Sequence, residues 1–219
     1  ELFLASSSEV YQTAEKIPTD ESASLIIPDP LNPRYSYGAG KIISELLTVN
    51  YGRKYFDRVL IFRPHNIYGP DMGWEHVIPQ FVLRMKELSR SKGSVIKFPI
   101  QGTGKQTRAF CFIDDFINGL MLVLERGEHM NIYHIGTMEE IPIEKVAEEV
   151  GKYFGKKVEI VPEKPAEGST LRRCPDIAKL KKLGYKPKIP FKEGLRVTAE
   201  WYDKNSDKVK KIKGFIQKM

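Results

Sequence analysis

The segment VLIFRPHNIYGP, residues 59–70, decides the fold. Its first four residues are all apolar, a pattern typical of a strand covered on both faces, as in parallel sheets. Polar residues from Arg63 to Asn66 follow at once, and ligands of open α/β sheets bind beyond the carboxyl ends of the strands. The segment therefore predicts a central parallel strand with a polar site at its end.

Helical and strand patterns alternate on both sides of this segment. A helical pattern covers about residues 35–55 before it, and residues 76–90 and 142–154 after it. Apolar runs at residues 94–100 and 131–135 predict further strands. This alternation predicts an α/β fold with a largely parallel sheet.

The composition is that of a globular protein. Of the 219 residues, 41% are hydrophobic and 29% are charged, and no apolar run is long enough to cross a bilayer. We expect no charged and apolar leader before the first strand. Cys111 and Cys174 are too few for a secreted disulfide scaffold, so a cytoplasmic location is expected.

The net charge of +7 is unevenly distributed. Residues 151–219 carry 19 of the 35 Lys and Arg but only 8 of the 28 Asp and Glu. Much of this basic excess lies in the lysine-rich runs 179–188 and 207–219. Zinc-finger spacing, an arginine-rich arm and an aromatic RNA-binding motif are absent from the sequence. A site for an anionic small molecule, or a solvated lysine face, explains the charge better than nucleic acid or a membrane does, and no metal site is predicted.

Tyr37 and Lys41 lie four residues apart in the predicted helix, so their side chains share one face. An ammonium group beside a phenol favours the phenolate, which can take a proton from a sugar hydroxyl near neutral pH. The pair is a candidate base. An unrelated Tyr and Lys on a helix surface is the alternative.

Hydroxyl groups and a carboxylate follow the first predicted strand, residues 2–5, in the order Ser6, Ser7, Ser8, Glu9. This position beyond the end of a strand suits polar chemistry. The alternative is an ordinary serine-rich turn with an exposed Glu.

Three polar side chains follow the central strand. Asn66 and the backbone beside it can bind phosphate or sugar, whereas Arg63 can also serve a structural ion pair. His65 is a candidate acid or an imidazole satisfied within the core.

Arginines occur at two further places. Arg108 follows a turn that contains Gly102 and Gly104, and Arg172 and Arg173 form a second group. Because guanidinium groups bind phosphate oxygens in pairs, these residues predict an anionic ligand such as a diphosphate. Surface arginines without a ligand are the alternative.

In this order, the motifs resemble the extended short-chain dehydrogenase/reductase family, and within it the nucleotide-sugar epimerases, dehydratases and decarboxylases. The resemblance runs from residue 1 to about residue 200. It rests on Tyr-x-x-x-Lys at Tyr37 and Lys41, on Arg-x-x-Asn-x-Tyr-Gly-Pro at Arg63, Asn66, Tyr68, Gly69 and Pro70, and on Gly102, Gly104, Gln106, Arg108, Phe110 and Asp115.

The resemblance implies an α/β fold with a Rossmann-like doubly wound parallel sheet and a smaller C-terminal α/β region that binds the substrate. It also implies a role for each matching residue. The implied catalytic residues are Tyr37, Lys41, Ser7, Ser8 and Glu9. The implied contacts to NAD come from Tyr37, Lys41, Ser6, Arg63 and His65, and those to the nucleotide sugar from Asn66, Tyr68, Arg108 and Arg173. In the implied reaction, Tyr37 removes the proton of the sugar's 4-hydroxyl as hydride moves to NAD, which gives a transient 4-keto sugar.

The family's N-terminal strand and its Gly-x-x-Gly-x-x-Gly turn, which hold the NAD pyrophosphate, are absent from this sequence. We therefore expect that the N-terminal part of the Rossmann domain is missing here and that catalysis belongs to the complete protein. Residues 1–70 are expected to be the C-terminal part of the NAD-binding domain, with segments near 105–136 returning to it. Residues 71–219 are expected to be mainly the nucleotide-sugar-binding region.

The residue at Glu9 separates the reactions of the family. Simple 4-epimerases need no carboxylate at this position. The 4,6-dehydratases have a Glu there that is preceded by an Asp, where this chain has Ser8. A Ser–Glu pair resembles the one in UDP-glucuronate decarboxylases. We expect epimerisation or decarboxylation first and dehydration after them. A non-catalytic relative that binds a nucleotide sugar or NAD is the alternative of a different class.

The resemblance also implies a homodimer, in which the helix bearing Tyr and Lys pairs with the next helix of each subunit. The apolar residues on that helix are Ile42, Ile43, Leu46, Leu47 and Val49. They fit one apolar stripe that is buried, either against a second copy or against the sheet.

Overall fold

A computed structural model of the chain describes residues 1–165 and 168–216, with side chains through residue 208. Residues 166, 167 and 217–219 belong to the predicted C-terminal region, and the last three to the lysine-rich run 207–219; they lie outside the described residues. The strands are β1 (Leu2–Ala5), β2 (Val59–Pro64), β3 (Ile67–Tyr68), β4 (Val95–Gln101), β5 (Thr107–Ala109), β6 (Cys111–Phe112), β7 (Asn131–Ile135), β8 (Glu140–Pro142), β9 (Lys157–Glu163) and β10 (Arg172–Arg173). The α-helices are α1 (Ser36–Tyr55), α2 (Val77–Leu88), α3 (Ile113–Arg126), α4 (Ile143–Tyr153), α5 (Ala178–Lys182) and α6 (Phe191–Ile216).

The chain forms two compact units whose segments alternate along the sequence. The first unit contains Glu1–Ile67, Thr107–Glu140 and Thr170–Lys188. The second contains Tyr68–Gln106, Ile141–Ser169 and Ile189–Met219. The assignment of cofactor binding and sugar binding to particular segments of the chain stays a prediction.

The first unit is built on a parallel sheet in the order β1-β2-β7. Leu4 pairs with Ile61, and Ile61 pairs with Ile132, so the three strands run side by side in one direction. Val59, Leu60 and Ile61 are all buried, as the continuous apolar run predicts. The predicted α/β fold with parallel strands is confirmed.

Alternate residues of β2 face different helices. A Cβ on Gly52 of α1 would come within 2.6 Å of the Val59 side chain, so α1 packs closely on that face. The other face carries the core of the unit, with side chains from β2, β7, α3, α5 and the residues on either side of α5: Leu60, Phe62, Val123, Tyr133, Ile135, Ile177, Leu180 and Tyr185. Helices on both faces make the sheet doubly wound.

Helix α1 covers the predicted helix of residues 35–55, but it does not bury its apolar stripe within the chain. Ile43, Leu46 and Leu47 are 53–57% exposed. Its buried positions are Gly38, Glu45, Thr48 and Gly52. The expected burial of those three apolar residues is wrong for the single chain, because close approach to the sheet needs the small residues.

The second unit has a parallel pair of strands, β4 and β9, in register from Val95 with Lys157 to Gln101 with Glu163. Phe81 of α2 packs edge-on against Phe98 of β4, with ring centroids 5.0 Å apart. Among the described residues, no helix has the length and apolarity that crossing a membrane requires.

Candidate active site

The carboxyl ends of β1, β2 and β7 meet at one edge of the sheet, because the strands are parallel and adjacent. Ser6 follows β1 and His65 follows β2. The backbone amide of Ser6 donates to the Phe62 carbonyl at 2.8 Å, and that of His65 donates to the Ile135 carbonyl at 3.0 Å. The polar residues predicted after two separate strands therefore lie at one edge.

The start of α1 brings Tyr37 and Lys41 to the same edge. Lys41 Nζ donates to the carbonyl of Ala5, the last residue of β1, at 2.8 Å. The same ammonium lies 5.7 Å from the centroid of the Tyr37 ring, and Tyr37 is 57% exposed. A Cβ on Gly38 would meet the Glu9 carbonyl oxygen at 2.7 Å, so a glycine is needed between helix and turn.

The segment after β1 turns through a short 3-10 helix, Ser8–Tyr11. Ser7 precedes it with extended backbone angles, and its hydroxyl accepts a hydrogen bond from the Glu9 amide at 3.2 Å. Ser8 is buried, whereas Ser7 and Glu9 are half-buried. The structure thus places Ser7, Lys41 and Tyr37 in one neighbourhood.

Arg108 and Arg173 are register partners on the parallel strands β5 and β10. Arg173 forms a two-pronged contact with Glu9, in which Nη1 donates to Oε1 and Nη2 lies 3.4 Å from Oε2. Arg108 donates to the Thr107 carbonyl at 2.7 Å. The pKa of Arg108 is lowered to about 10, chiefly by burial; the charges of Arg173 and Arg34 act in the same direction, and Glu9 opposes them. The arrangement leaves an excess of positive charge.

Arg172 and Arg173 do not act together, although they are adjacent in the sequence. Successive residues of a strand point to opposite faces. Arg172 donates to Glu140 at 2.6 and 3.1 Å, and Glu140 also accepts from the Thr107 hydroxyl at 2.5 Å. Of these two arginines, Arg173 lies beside Arg108 and Glu9, whereas Arg172 does not.

Arg63 points into the interior and is 2% exposed. Its Nε and Nη2 donate to the two carboxylate oxygens of Glu45 at 2.8 and 2.6 Å. Burial by itself lowers the pKa of Arg63, but the hydrogen bonds and charges of Glu45 and Tyr11 together raise it above its ordinary value. The guanidinium therefore stays charged within a buried ion pair. This agrees with the structural role, and not the ligand-binding role, that the sequence left open for Arg63.

His65 is enclosed by Tyr11 and His134, with its ring centroid 4.5 Å from that of His134. It is 1% exposed, and neither ring nitrogen has a hydrogen-bond partner among the residues that the structure describes. Burial holds its pKa well below the usual value, and the charges of His134, Arg173 and Arg63 act in the same direction. His65 is therefore neutral at physiological pH, which gives no support to its role as an acid.

Asn66 connects the end of β2 to β5 and β6. It has a positive φ of 44°, its side chain donates to the Ala109 carbonyl at 3.3 Å, and its own carbonyl accepts from the Cys111 amide at 3.2 Å. Tyr68 belongs to the second unit, where its hydroxyl donates to the Phe191 carbonyl at 3.1 Å and its ring is buried.

Sequence reasoning missed Glu45, Tyr11, Arg34 and His134. The position of Glu45 near the site could have been inferred from the sequence, because Tyr37, Lys41 and Glu45 follow one another at four-residue intervals and so share one helix face. The contacts of Tyr11 and His134 depend on strand order and could not be inferred from spacing. Among the described residues, no group of three or more His, Cys, Asp or Glu could hold a metal ion.

A doubly wound parallel sheet with a Tyr-x-x-x-Lys pair and a serine turn at its carboxyl edge defines a class of Rossmann-like proteins. Within it, this chain belongs to the NAD dependent epimerase/dehydratase family, which matches residues 1–136. The family predicted from the sequence is thereby confirmed.

Curated relatives include a trifunctional UDP-glucose 4,6-dehydratase, 3,5-epimerase and reductase of Arabidopsis thaliana, 32% identical over 209 residues, which cover 92% of this chain and 29% of that protein. Human dTDP-D-glucose 4,6-dehydratase is 30% identical over 221 residues, 97% of this chain and 59% of that protein. Among solved structures, a dTDP-glucose 4,6-dehydratase from Streptomyces venezuelae with NAD bound has a TM-score of 0.76 and 32% identity, over 93% of this chain and 60% of that one. The chain thus spans less than two thirds of each of these relatives.

Proposed function

We propose that the complete protein is an NAD-dependent nucleotide-sugar enzyme that acts through a transient 4-keto sugar. The observation that carries the proposal is the contact of Lys41 Nζ with the Ala5 carbonyl at 2.8 Å. This contact brings an exposed Tyr–Lys pair to a turn whose next residues are serines. The family relationship supports the same chemistry.

Tyr37 and Lys41 are the residues of this chain that suit the nicotinamide end of NAD, since both are accessible at the sheet edge. NAD, when bound, supplies a hydride acceptor that later returns the hydride. Tyr37 takes the proton of the sugar's 4-hydroxyl, and the Lys41 ammonium stabilises the phenolate. Ser7 orients the hydroxyl that loses its proton.

The arginine cluster supplies the anion site. The charges of Arg173 and Arg34 act on Arg108, and Glu9 is the carboxylate that opposes them there. Each phosphate of a nucleotide diphosphate offers oxygens that guanidinium groups bind in pairs. We assign the diphosphate of the substrate to Arg108 and Arg173, with Asn66 nearby on the adjoining loop.

Epimerisation is the outcome that the geometry supports best. Glu9 is held by Arg173, so it does not present a carboxylate ready to remove a proton from carbon 5. Exposed Tyr37, with Lys41 and Ser7, suffices for oxidation at carbon 4 and return of the hydride to the other face.

Decarboxylation of a nucleotide uronate is the second candidate. A uronate carries one more negative charge than a neutral sugar, and the excess positive charge of Arg34 and Arg173 around Arg108 suits that charge. The Ser8–Glu9 pair resembles that of the decarboxylases.

The test is incubation of the complete protein with NAD and a panel of UDP-, GDP-, dTDP- and CDP-sugars, followed by product masses. An isomer of unchanged mass supports epimerisation, and loss of carbon dioxide from a uronate supports the second candidate. Loss of water would overturn both in favour of dehydration. Tight binding without any product would favour the non-catalytic alternative.

We also propose a homodimer through the exposed face of α1. Large apolar side chains occur along it at Ile43, Leu46, Leu47, Tyr51 and Tyr55, all more than half exposed. A contiguous apolar face on a helix is typical of an association surface. Light scattering should show a dimer that Leu46→Glu with Leu47→Glu converts to a monomer, whereas a wild-type monomer would contradict the proposal.

The cytoplasm is the proposed location. Cys111 and Cys174 are both buried free thiols, which suits a reducing compartment.

A further inference from the structure

Glu45 is a buried carboxylate on α1 that holds two separate parts of the sheet edge. Its Oε1 accepts from the Ser6 hydroxyl and from Arg63 Nε, and its Oε2 accepts from Arg63 Nη2 at 2.6 Å. The side chains of Glu45 and Arg63 are 5% and 2% exposed. A carboxylate so enclosed is stable only because these donors satisfy it.

Arg63 extends the same contacts to the other end of the turn. Its Nη1 donates to the hydroxyl of Tyr11, the last residue of the 3-10 helix. His134 Nδ1 donates to the Asp176 carbonyl at 3.1 Å, so its Nε2 accepts from the Tyr11 hydroxyl at 2.6 Å. Burial raises the pKa of Tyr11 to about 12, so the hydroxyl keeps its proton.

The two contacts fasten the segment Ser6–Tyr11 at both ends. Ser6 is held through Glu45, and Tyr11 is held directly by Arg63. Between them lie Ser7, Ser8 and Glu9. We call residues 6–11, fastened in this way, the clamped turn.

The clamp determines where the Ser7 hydroxyl points. Ser7 is extended, with φ −160° and ψ 154°, and side chains of successive extended residues point to opposite sides. With Ser6 directed inward to Glu45, Ser7 is directed away from that carboxylate. Lys41 holds the residue before Ser6 at the same time, through its bond to the Ala5 carbonyl.

We propose that Glu45 and Arg63 are positioning residues, which act on the reaction by holding the clamped turn so that Ser7 meets the substrate hydroxyl beside Tyr37. The proposal rests on the function proposed above and deepens it. It also gives Arg63 and Ser6 a role without direct contact to the cofactor. The Ser6–Glu45 hydrogen bond is the link that can be cut while the buried ion pair stays intact.

The first test measures the clamp without any substrate. In hydrogen–deuterium exchange of the complete protein, Ser6→Ala should speed exchange of peptides within residues 6–12 by about tenfold, since one hydrogen bond to a charged group is lost. Peptides within residues 42–52 of α1 should be unchanged. Ser44→Ala removes a hydroxyl of the same helix that bonds only its own turn, and is the matched control. Unchanged exchange in residues 6–12 of Ser6→Ala would overturn the clamp.

The second test links the clamp to catalysis. With the sugar turned over in the panel, Ser6→Ala should lower kcat by about tenfold while KM stays within about twofold, because positioning matters most in the transition state. In a Ser7→Ala background, Ser6→Ala should have no further effect. An equal loss with and without Ser7 would overturn the proposal, since a structural defect acts independently of Ser7. Lack of turnover by the wild-type protein would overturn the proposed function and this catalytic role, whereas the exchange result would still decide the clamp.

Discussion

Two groups of charged side chains lie in the first unit and differ in charge balance. The paired cluster consists of Glu45 and Arg63, in which each charge meets its opposite at 2.6–2.8 Å inside the protein. The open cluster consists of Arg108 with Glu9, Arg173 and Arg34, in which two positive charges and one carboxylate act on the Arg108 guanidinium. Arginine and glutamate therefore form a balanced ion pair in the paired cluster and leave an excess of positive charge in the open cluster.

Charge balance, more than the presence of arginine, indicates which cluster binds a ligand. The paired cluster satisfies its own groups, and an anion could enter only by displacing Glu45. In the open cluster, like charges and burial lower the pKa of Arg108, so a bound anion would relieve an unfavourable arrangement.

Removal of one partner of the paired cluster should have the largest effect on stability. Arg63→Met leaves the Glu45 carboxylate buried without its cation, which should lower the free energy of unfolding by about 3–5 kcal/mol. Urea titration of the complete protein measures this loss. The double variant Arg63→Met with Glu45→Met should recover part of it, and a single variant as stable as the wild type would contradict the paired cluster.

Acid should weaken the paired cluster by adding a proton beside Arg63. Burial lowers the pKa of His134 to about 4 and holds that of His65 well below its usual value. The unfolded chain takes up these protons at higher pH than the folded one. The free energy of unfolding should therefore fall between pH 6.5 and 4, by about 3 kcal/mol for His134.

Urea titrations from pH 7 to 4.5 measure that slope. His134→Gln should flatten it, whereas exchange of the exposed His76 for Gln should leave it unchanged. An equal slope in the His134 variant would show that the acid sensitivity arises elsewhere.

Removal of one cation from the open cluster should change binding without loss of stability. Arg108→Met should weaken UDP binding about 10- to 100-fold, as expected for a hydrogen bond between charged groups. The stability should not decrease, because among the described residues Arg108 forms no ion pair. Calorimetric titration with UDP and urea unfolding of the complete protein measure the two quantities. A large loss of stability with unchanged UDP affinity would place Arg108 with the paired cluster.

The smallest effect is expected at Arg172, which is adjacent to Arg173 but bonds Glu140 on the other face of β10. This pair is exposed, and exposed ion pairs contribute little to stability. Arg172→Gln should leave both the midpoint of urea unfolding and the affinity for UDP unchanged. A loss of UDP affinity comparable with that of Arg108→Met would show that both neighbours face the ligand.

The sequence was sufficient to predict the parallel sheet and the sheet edge at which the candidate residues lie. Four apolar residues at 59–62 predict a strand buried on both faces, and polar residues after residues 2–5 and 59–62 predict a shared edge. The spacing of Tyr37 and Lys41 predicts one helix face, and the structure places them there. These features depend on local periodicity, which the sequence records directly.

The partners of the charged residues could not be predicted in the same way. Glu45 is an ordinary helix residue until β2 brings Arg63 against it, and the different directions of Arg172 and Arg173 follow from a two-residue strand, β10. The exposure of Leu46 and Leu47 reflects packing of α1 through its small residues, which outweighs the apolar pattern. Pairing across the sheet depends on strand order, and no local pattern encodes it.

The proposed role of Tyr37 as the base can be tested by substitution with Phe, since this removes one oxygen from an exposed ring and leaves both clusters intact. In the complete protein with NAD and the sugar that it turns over, Tyr37→Phe should lower kcat by about 10²- to 10⁴-fold, the usual contribution of a general base. The affinity for UDP should stay within about twofold of the wild type. Wild-type turnover by the Phe variant would contradict the role of Tyr37 and with it the proposed function.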